Sequence, residues 1–330
     1  MDIYFYEAFE KEAERLRHYL PRDHKAEYTL KTIQECGHLD PPAPIISIRP
    51  QTTIPASWAD RIRAVITRST GFDHILRYRL ETGVNVPAGY LPEYCTRAVA
   101  EQALMLWMAL MRRLPEQIEH YKTFNRDGLT GRETEGRTLV VVGVGNIGYQ
   151  VVRIGWGLGM RVLGVDIDRK HRDVEYLPAE KALAQADLVV CSMNLTAENR
   201  GYFTADLLRN TPRGALFVNV SRGELSPSSA LLELLEDGHL GAVGLDVFDA
   251  ESELAVALRG GPASTHPEVR ASLALAARTD TILTPHNAFN TAEAVERKSE
   301  QTVRQYLHFK ETGAFIWPVP EGNGEVISDQ

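Results

Sequence analysis

Thr138-Leu-Val-Val-Val-Gly143-Val-Gly145-Asn-Ile-Gly148 is the stretch that decides the fold. Five residues of strand character run straight into G-x-G-x-x-G. A helix pattern follows over Tyr149 to Gly157, then a second strand, Arg161-Val-Leu-Gly-Val-Asp166. Strand, glycine turn, helix and strand in that order form the first βαβ unit of a dinucleotide-binding fold. Gly143 allows the tight turn and Gly145 lets the backbone approach a pyrophosphate. Gly148 lets the helix pack close to the strand, with the amino end of Asn146 and Ile147 toward the phosphates. Glycine-rich turns are common, so the flanking elements carry the reading. Asp166 ends the second strand 23 positions after Gly143, near the interval of about 20 expected for the acidic residue that meets the ribose. Its carboxylate accepts from the ribose hydroxyls and repels a 2′-phosphate, which favours NAD over NADP. Arg169, three residues on, pulls the other way.

The chain has 330 residues, long enough for two domains of ordinary size. Its composition is globular, 44% hydrophobic and 24% charged. Net charge is −8, from 36 basic and 44 acidic residues, with no basic run, so neither nucleic acid nor a membrane surface is an expected partner. Cys36, Cys95 and Cys191 are widely spaced and odd in number. They form no metal or redox motif, and with the absence of a signal-peptide pattern at Met1 they make a reducing, cytoplasmic setting the expectation. No metal is expected. The longest strongly apolar run, Ala103 to Met111, is about half of what a membrane span needs.

The first hundred residues alternate short strands (Ile3–Tyr6, Lys25–Leu30, Pro44–Ile48, Ala64–Thr67) with helical stretches such as Phe9–Tyr19. Such alternation implies a parallel sheet flanked by helices. Residues 83–95 hold two prolines and two glycines and read as a connector. Ala98 to Leu114 is apolar nearly all round and reads as one buried helix, crossing between domains and meeting a second subunit, with a central helix inside a monomer as the alternative. Further buried-strand runs follow at Asp187–Cys191, Ala215–Asn219, Ala242–Asp246 and Ile282–Thr284, with helices at 228–236 and 267–277. Residues 252–280 form a long connection, and Glu321 to Gln330 have the composition of a disordered tail.

Three short segments place polar residues just beyond strand ends: Asn219-Val-Ser-Arg222-Gly223, Asp246-Val-Phe-Asp-Ala-Glu251 and Thr284-Pro-His286-Asn-Ala-Phe289. In an open α/β sheet the ligand lies beyond the carboxyl ends of the strands. An Arg, a Glu and a His delivered there form a plausible catalytic set. With Ser69-Thr-Gly-Phe-Asp73, Ala98-Val-Ala-Glu101 and the glycine turn, these segments make the chain resemble the D-isomer-specific 2-hydroxyacid dehydrogenases over about residues 45–312. The closing Thr-Pro-His-Asn-Ala-Phe looks most like the D-lactate dehydrogenase branch, as does the 35-position stretch between Glu251 and His286.

The resemblance implies roles. Arg222 matches the arginine that grips the substrate carboxylate and carbonyl oxygen, a task suited to a planar fork of donors. His286 matches the acid/base and Glu251 the carboxylate that orients it and favours its charged form. Thr70 and Gly71 match the loop whose backbone N–H groups meet the substrate carboxylate. Tyr94 matches a tyrosine that closes over the substrate, with Tyr90 as the alternative. Phe289 lines the same pocket, and Asp246 matches a position that contacts the nicotinamide amide. His266-Pro267 copies the local look of the catalytic histidine but lacks a preceding strand. Two departures stand out: Ser192-Met-Asn194-Leu-Thr196 where the family often has His-x-Pro-Leu-Thr, and Gln102 where many relatives have His.

The expected architecture is α/β, with two Rossmann-like domains built on parallel sheets. A discontinuous substrate domain (1–97 and 291–330) accompanies an NAD-binding domain (98–290). The expected activity is NAD-linked interconversion of a D-2-hydroxy acid and a 2-oxo acid, of D-lactate/pyruvate type, by a homodimer. Two alternatives stay open: an NADH-sensing regulator of the same fold, and a dehydrogenase for another small anion such as formate or phosphite.

Overall fold

The computed structural model describes residues 1–321; of the expected disordered tail, all but Glu321 lies outside the described residues. Two compact units are present, Met1–Cys95 with Asn290 onward, and Thr96–Phe289.

In the first unit the chain runs β1 (Ile3–Phe5), α1 (Glu10–Tyr19), β2 (Ala26–Tyr28), α2 (Ile33–Cys36), β3 (Ile45–Ile48), β4 (Ala64–Thr67), α3 (Asp73–Thr82) and β5 (Ala88–Gly89). The five strands pair in parallel in the order β2-β1-β3-β4-β5. Successive side chains of a strand point to opposite faces. Tyr4, Tyr6, Ile46, Ile48 and Val65 therefore build one core with Ile75 and Tyr78 of α3. Ile3, Phe5, Ile45, Ala64 and Ile66 build the other. Burial on both faces is what a parallel sheet requires, and it explains the near-continuous apolar runs. β5 sits inside the expected connector, too short to show as a pattern.

The second unit begins with α4 (Thr96–Met111) and α5 (Leu114–Tyr121). These replace the single helix expected over 98–114. Arg113 adopts a left-handed φ of 52°, and Pro115 opens α5 as its second residue. A proline in the first turn lacks only an N–H that has no helical partner there, so it suits a helix start. Ala100, Ala103, Leu106, Trp107 and Leu110 of α4 are buried. Next come β6 (Thr138–Val142), α6 (Asn146–Gly157), β7 (Arg161–Val165), β8 (Glu175–Tyr176), α7 (Ala179–Leu183), β9 (Leu188–Cys191), α8 (Ala205–Leu208), β10 (Ala215–Asn219), α9 (Ser228–Glu236), β11 (Leu240–Leu245), α10 (Glu251–Leu258), α11 (Pro267–Ala276) and β12 (Thr281–Leu283). The seven strands are parallel, in the order β12-β11-β10-β9-β6-β7-β8. α6 starts at Asn146, inside the glycine turn, three residues earlier than its apolar pattern suggests. α10 and α11 occupy most of the long 252–280 connection.

The chain then returns to the first unit as α12 (Ala292–Thr312), whose Val303, Tyr306 and Phe309 enter the second of that unit's cores. α12 is tied to α1 by buried charge. Arg68 Nε donates to Glu12 Oε1 at 2.9 Å, and Lys298 Nζ lies 2.8 Å from the same oxygen. All three side chains are at most 1% exposed. Burial alone raises a carboxyl; here Arg68 and Lys298 overcome it and hold Glu12 down at about 2. Removing one member of such a cluster strands buried charge. Glu12→Gln is expected to lose about 3–5 kcal/mol in urea unfolding. Glu12's contribution is present above its ordinary value of 4.5 and lost as pH falls from there through about 2. A loss below about 1 kcal/mol, the range of an exposed pair, would show the cluster to be energetically idle.

Candidate active site

The glycine turn follows β6 directly. Gly143 has φ +89°, and a Cβ there would meet the Met193 backbone at 2.6 Å. At Gly148 a Cβ would lie 1.9 Å from the Gly143 carbonyl oxygen, so α6 can approach β6 only without a side chain. Gly145 differs. It is the N-cap of α6, it is exposed, and a Cβ would meet no protein atom within 4 Å. Nothing inside the protein requires glycine there, but a phosphate approaching the helix amino end does. Asn146 is exposed and Ile147 partly so in the first turn of α6. Asp166 accepts from the backbone N–H of Val144 and, through Oδ1, from that of Asp168 at 3.0 Å. The acid at the end of β7 therefore also shapes the glycine turn. These residues fit a dinucleotide.

β10, β11 and β12 are neighbours, and Arg222, Glu251 and His286 follow their carboxyl ends. Asn219 shapes the first loop: its Nδ2 donates to the Arg222 carbonyl at 2.8 Å and its Oδ1 accepts from Ser221 N at 2.9 Å. Gly223 lets that loop press on the next one, since a Cβ there would sit 1.9 Å from the Phe248 carbonyl carbon. Arg222 is partly buried and donates through Nη1 to the Ser221 carbonyl. Glu251 opens α10 after Ala250, which has φ +55°. Glu251 Oε1 accepts from Phe248 N at 3.2 Å, and Oε2 lies 2.8 Å from His286 Nδ1. Both side chains are about a quarter exposed (26% and 25%). A carboxylate accepts, so Nδ1 carries the proton of this contact and Nε2 takes no part in it. His286 itself holds φ +50°. A non-glycine residue in that region costs about 1–3 kcal/mol and persists where the surroundings impose it.

Asp246 supplies that imposition. It is fully buried, and its carboxylate accepts from Thr284 Oγ1 at 2.5 Å, Asn287 N at 2.9 Å and Ala288 N at 2.8 Å. Burial pushes its carboxyl above the usual range against these three bonds. Expected at the nicotinamide amide, Asp246 is engaged first in holding the His286 loop. Gln102 of α4 extends the chain, donating to Thr284 Oγ1 at 3.1 Å. Gln102 and Thr284 were readable only as a departure and a motif letter; their connection depends on helix–strand packing.

This constellation invites comparison with known proteins. Residues 104–288 match the family model described as D-isomer specific 2-hydroxyacid dehydrogenase, NAD binding domain. The chain belongs to this family. Its Thr96–Phe289 unit carries the family's NAD-binding domain, and NAD is its cofactor. A D-specific alpha-keto acid dehydrogenase of Enterococcus faecalis is 30% identical over 253 residues, 76% of each chain. The D-lactate dehydrogenase of Escherichia coli is 30% identical over 250 residues, 74% of each. A crystal structure of D-lactate dehydrogenase from Aquifex aeolicus, complexed with NAD and lactic acid, superposes with a TM-score of 0.83 at 25% identity. That match covers 96% of this chain and 99% of the other.

The remaining expected residues are placed as follows. Phe289 ends the second unit and is buried. Thr70, Gly71 and Tyr94 lie in the first unit. Ser69 Oγ donates to the Gly71 carbonyl at 2.6 Å, and Leu91 N donates to the Ser69 carbonyl at 3.0 Å, so the 69–71 loop is strapped from both sides. Tyr94 is 4% exposed, its ring 5.9 Å from Lys298 Nζ, and burial drives its hydroxyl well above the usual tyrosine range. Tyr90, the alternative, is partly buried, stacks edge-on against Phe72 and accepts from Gln305 through its carbonyl. Among the described residues no helix is long and apolar enough to cross a membrane, and no group of three His, Cys, Asp or Glu side chains is placed to hold a metal.

Gly145→Ser tests the cofactor cradle cleanly, because serine is a favoured N-cap and the site has room for its Cβ. Thermal melting is expected to hold while NADH affinity, followed by fluorescence titration, falls at least about tenfold. Unchanged NADH affinity would remove Gly145 from the cradle. Asp166→Ser is expected to shift steady-state preference toward NADP(H), and an unmoved ratio would mean that Asp166 does not face the ribose.

Proposed function

We propose that the protein interconverts a D-2-hydroxy acid and a 2-oxo acid of D-lactate/pyruvate type, with Arg222, Glu251 and His286 in the roles of substrate fork, orienting carboxylate and acid/base. The observation that carries this reading is the 2.8 Å contact of His286 Nδ1 with Glu251 Oε2, one strand removed from the Arg222 loop. The bound nicotinamide supplies or accepts the hydride. In the reducing direction His286 Nε2–H gives its proton to the substrate's ketone oxygen; in oxidation the same nitrogen takes the hydroxyl proton. Glu251 holds the ring in the tautomer that leaves Nε2 for this exchange. Arg222 grips carboxylate and carbonyl oxygen by two hydrogen bonds, orienting the substrate and stabilising charge that grows on that oxygen. Thr70 and Gly71 contribute backbone N–H groups to the substrate carboxylate, supported by the strapping of their loop. Phe289 and Tyr94 are assigned to the pocket wall, not to proton transfer, which the depth of Tyr94's burial favours.

The direct test is NADH consumption with a panel of 2-oxo acids. His286→Ala is expected to lower kcat by about 10²–10⁴-fold while NADH still binds. Arg222→Lys is expected to rescue Arg222→Ala poorly, because an ammonium cannot form the two-point fork. A His286→Ala enzyme with near-native turnover would sink the assignment.

The same reading includes a cytoplasmic homodimer. Free thiols at Cys36, Cys95 and Cys191 favour a reducing compartment. Along α5 and just after it, Ile118, Tyr121 and Phe124 are 62%, 78% and 76% exposed, and Met105 of α4 is exposed as well. Apolar side chains grouped so closely are a natural subunit contact. Sedimentation is expected to give about twice the 36.8 kDa chain mass, and Ile118→Glu with Tyr121→Glu to give the monomer. A wild-type protein that sediments as a monomer at micromolar concentration would remove the dimer.

A further inference from the structure

We propose that His74 and Thr67 are positioning residues for the substrate loop, heading a one-way relay of hydrogen bonds that ends on the Gly71 carbonyl. The proposal rests on reading Thr70 and Gly71 as the loop whose N–H groups meet the substrate carboxylate, and it names what aims them. Thr67 is the last residue of β4 and His74 the second of α3, so the two stand on either side of that loop. His74 Nε2 lies 2.8 Å from Thr67 Oγ1, and Thr67 Oγ1 lies 2.7 Å from Ser69 Oγ. Ser69 Oγ in turn reaches the Gly71 carbonyl at 2.6 Å. Thr67 and Ser69 are buried and His74 is partly so.

Counting protons gives each bond its direction. A carbonyl oxygen only accepts, so Ser69 gives its one hydroxyl proton to Gly71. Ser69 Oγ must then accept from Thr67, and that contact uses the single Thr67 proton. Thr67 Oγ1 can therefore only accept from His74, which means that His74 Nε2 carries a proton. Were Nε2 bare, the Thr67 proton would turn to it, and the one Ser69 proton would be divided between Thr67 and Gly71. His74 thus sets the sense of the whole chain from outside the loop.

The relay fixes the aim of peptide planes. A peptide unit is planar and trans, so a carbonyl and the N–H that follows it point in opposite directions. The Ser69 carbonyl accepts from Leu91 N at 3.0 Å, and this sets the Thr70 N–H. The Gly71 carbonyl is held by Ser69 Oγ, and this sets the Phe72 N–H. The Gly71 N–H belongs to the one plane between these two. A hydrogen bond weakens steeply once its angle falls below about 120°, so an N–H that can turn grips a carboxylate poorly. Leu91 pins the near side of the Gly71 N–H, and the relay from His74 pins the far side.

Steady-state kinetics with NADH and the full-length protein test the relay, using whichever of pyruvate, 2-oxobutyrate and phenylpyruvate the wild type reduces best. A carboxylate anchor acts alike in the ground and transition states, so weakening it raises KM and leaves kcat in place. Thr67→Val keeps the shape and removes the hydroxyl. It is expected to raise KM for the oxo acid about tenfold, with kcat and NADH affinity within about twofold of wild type. His74→Leu is expected to raise KM about fivefold. His74→Gln, whose amide can donate in place of Nε2, and Thr67→Ser, which keeps the hydroxyl, are expected to stay within about twofold. A general loosening of the structure would lower kcat and NADH affinity as well. Should Thr67→Val fail to fold, the two His74 variants decide. A KM unmoved by Thr67→Val, or equal in His74→Leu and His74→Gln, overturns the relay and leaves the dehydrogenase reading standing. A wild type that reduces no 2-oxo acid overturns both.

Discussion

Parallel pairing in fixed register determines where every group with chemistry can be. Leu283 lies beside Leu245, and Leu245 beside Asn219, so β12, β11 and β10 end level with one another. The residues that follow leave the sheet side by side at one edge. Glu251 and His286, 35 positions apart along the chain, meet through a single hydrogen bond for that reason. A slip of one residue in β12 would turn its side chains to the opposite face and carry the His286 loop away with them. The same constraint acts in the first unit, where Glu7, Arg49 and the Thr70 loop follow three adjacent strand ends.

Loops placed so tightly need charged and polar anchors inside the protein, and each anchor must be satisfied. Asp246 is tolerated in the interior because three donors converge on it, and those donors belong to the segment that carries His286. Glu12 is tolerated because two cations share it, one before the Thr70 loop and one on α12. Each buried acid therefore performs a structural task for a loop several residues away from itself. Strain collects at the same places. Glu7, Ala250 and His286 all hold left-handed φ values without being glycine. Close contacts complete the arrangement: without the hydrogen side chain of Gly223 the Arg222 loop could not rest on Phe248.

Element type was legible in local pattern. Apolar runs marked β3, β6, β9 and β10, because a strand buried on both faces needs continuous apolar side chains. The glycine turn and the three motifs beyond strand ends were legible too, since a sharp turn, a close backbone approach and a carboxylate fork each restrict the residue that can serve. Less was legible where geometry outweighs composition. The break at Arg113 hid inside an apolar run, and β8 is only two residues long. α12 carries charges along its length and declares its buried face only when set against α1.

What the sequence determined by itself was the set of parts: parallel α/β elements, a nucleotide turn, and an Arg, a Glu and a His at strand ends. Those follow from interactions between residues close in the chain. Tertiary structure alone decided the partners. Gln102 reaches Thr284 across 182 positions, Glu7 reaches Arg49 across 42, and Lys298 reaches Glu12 from a helix near the other end of the chain. Such contacts exist only after the sheets close and bury them. A hydrogen bond between distant residues depends on where the backbone brings them, and no local pattern records that position.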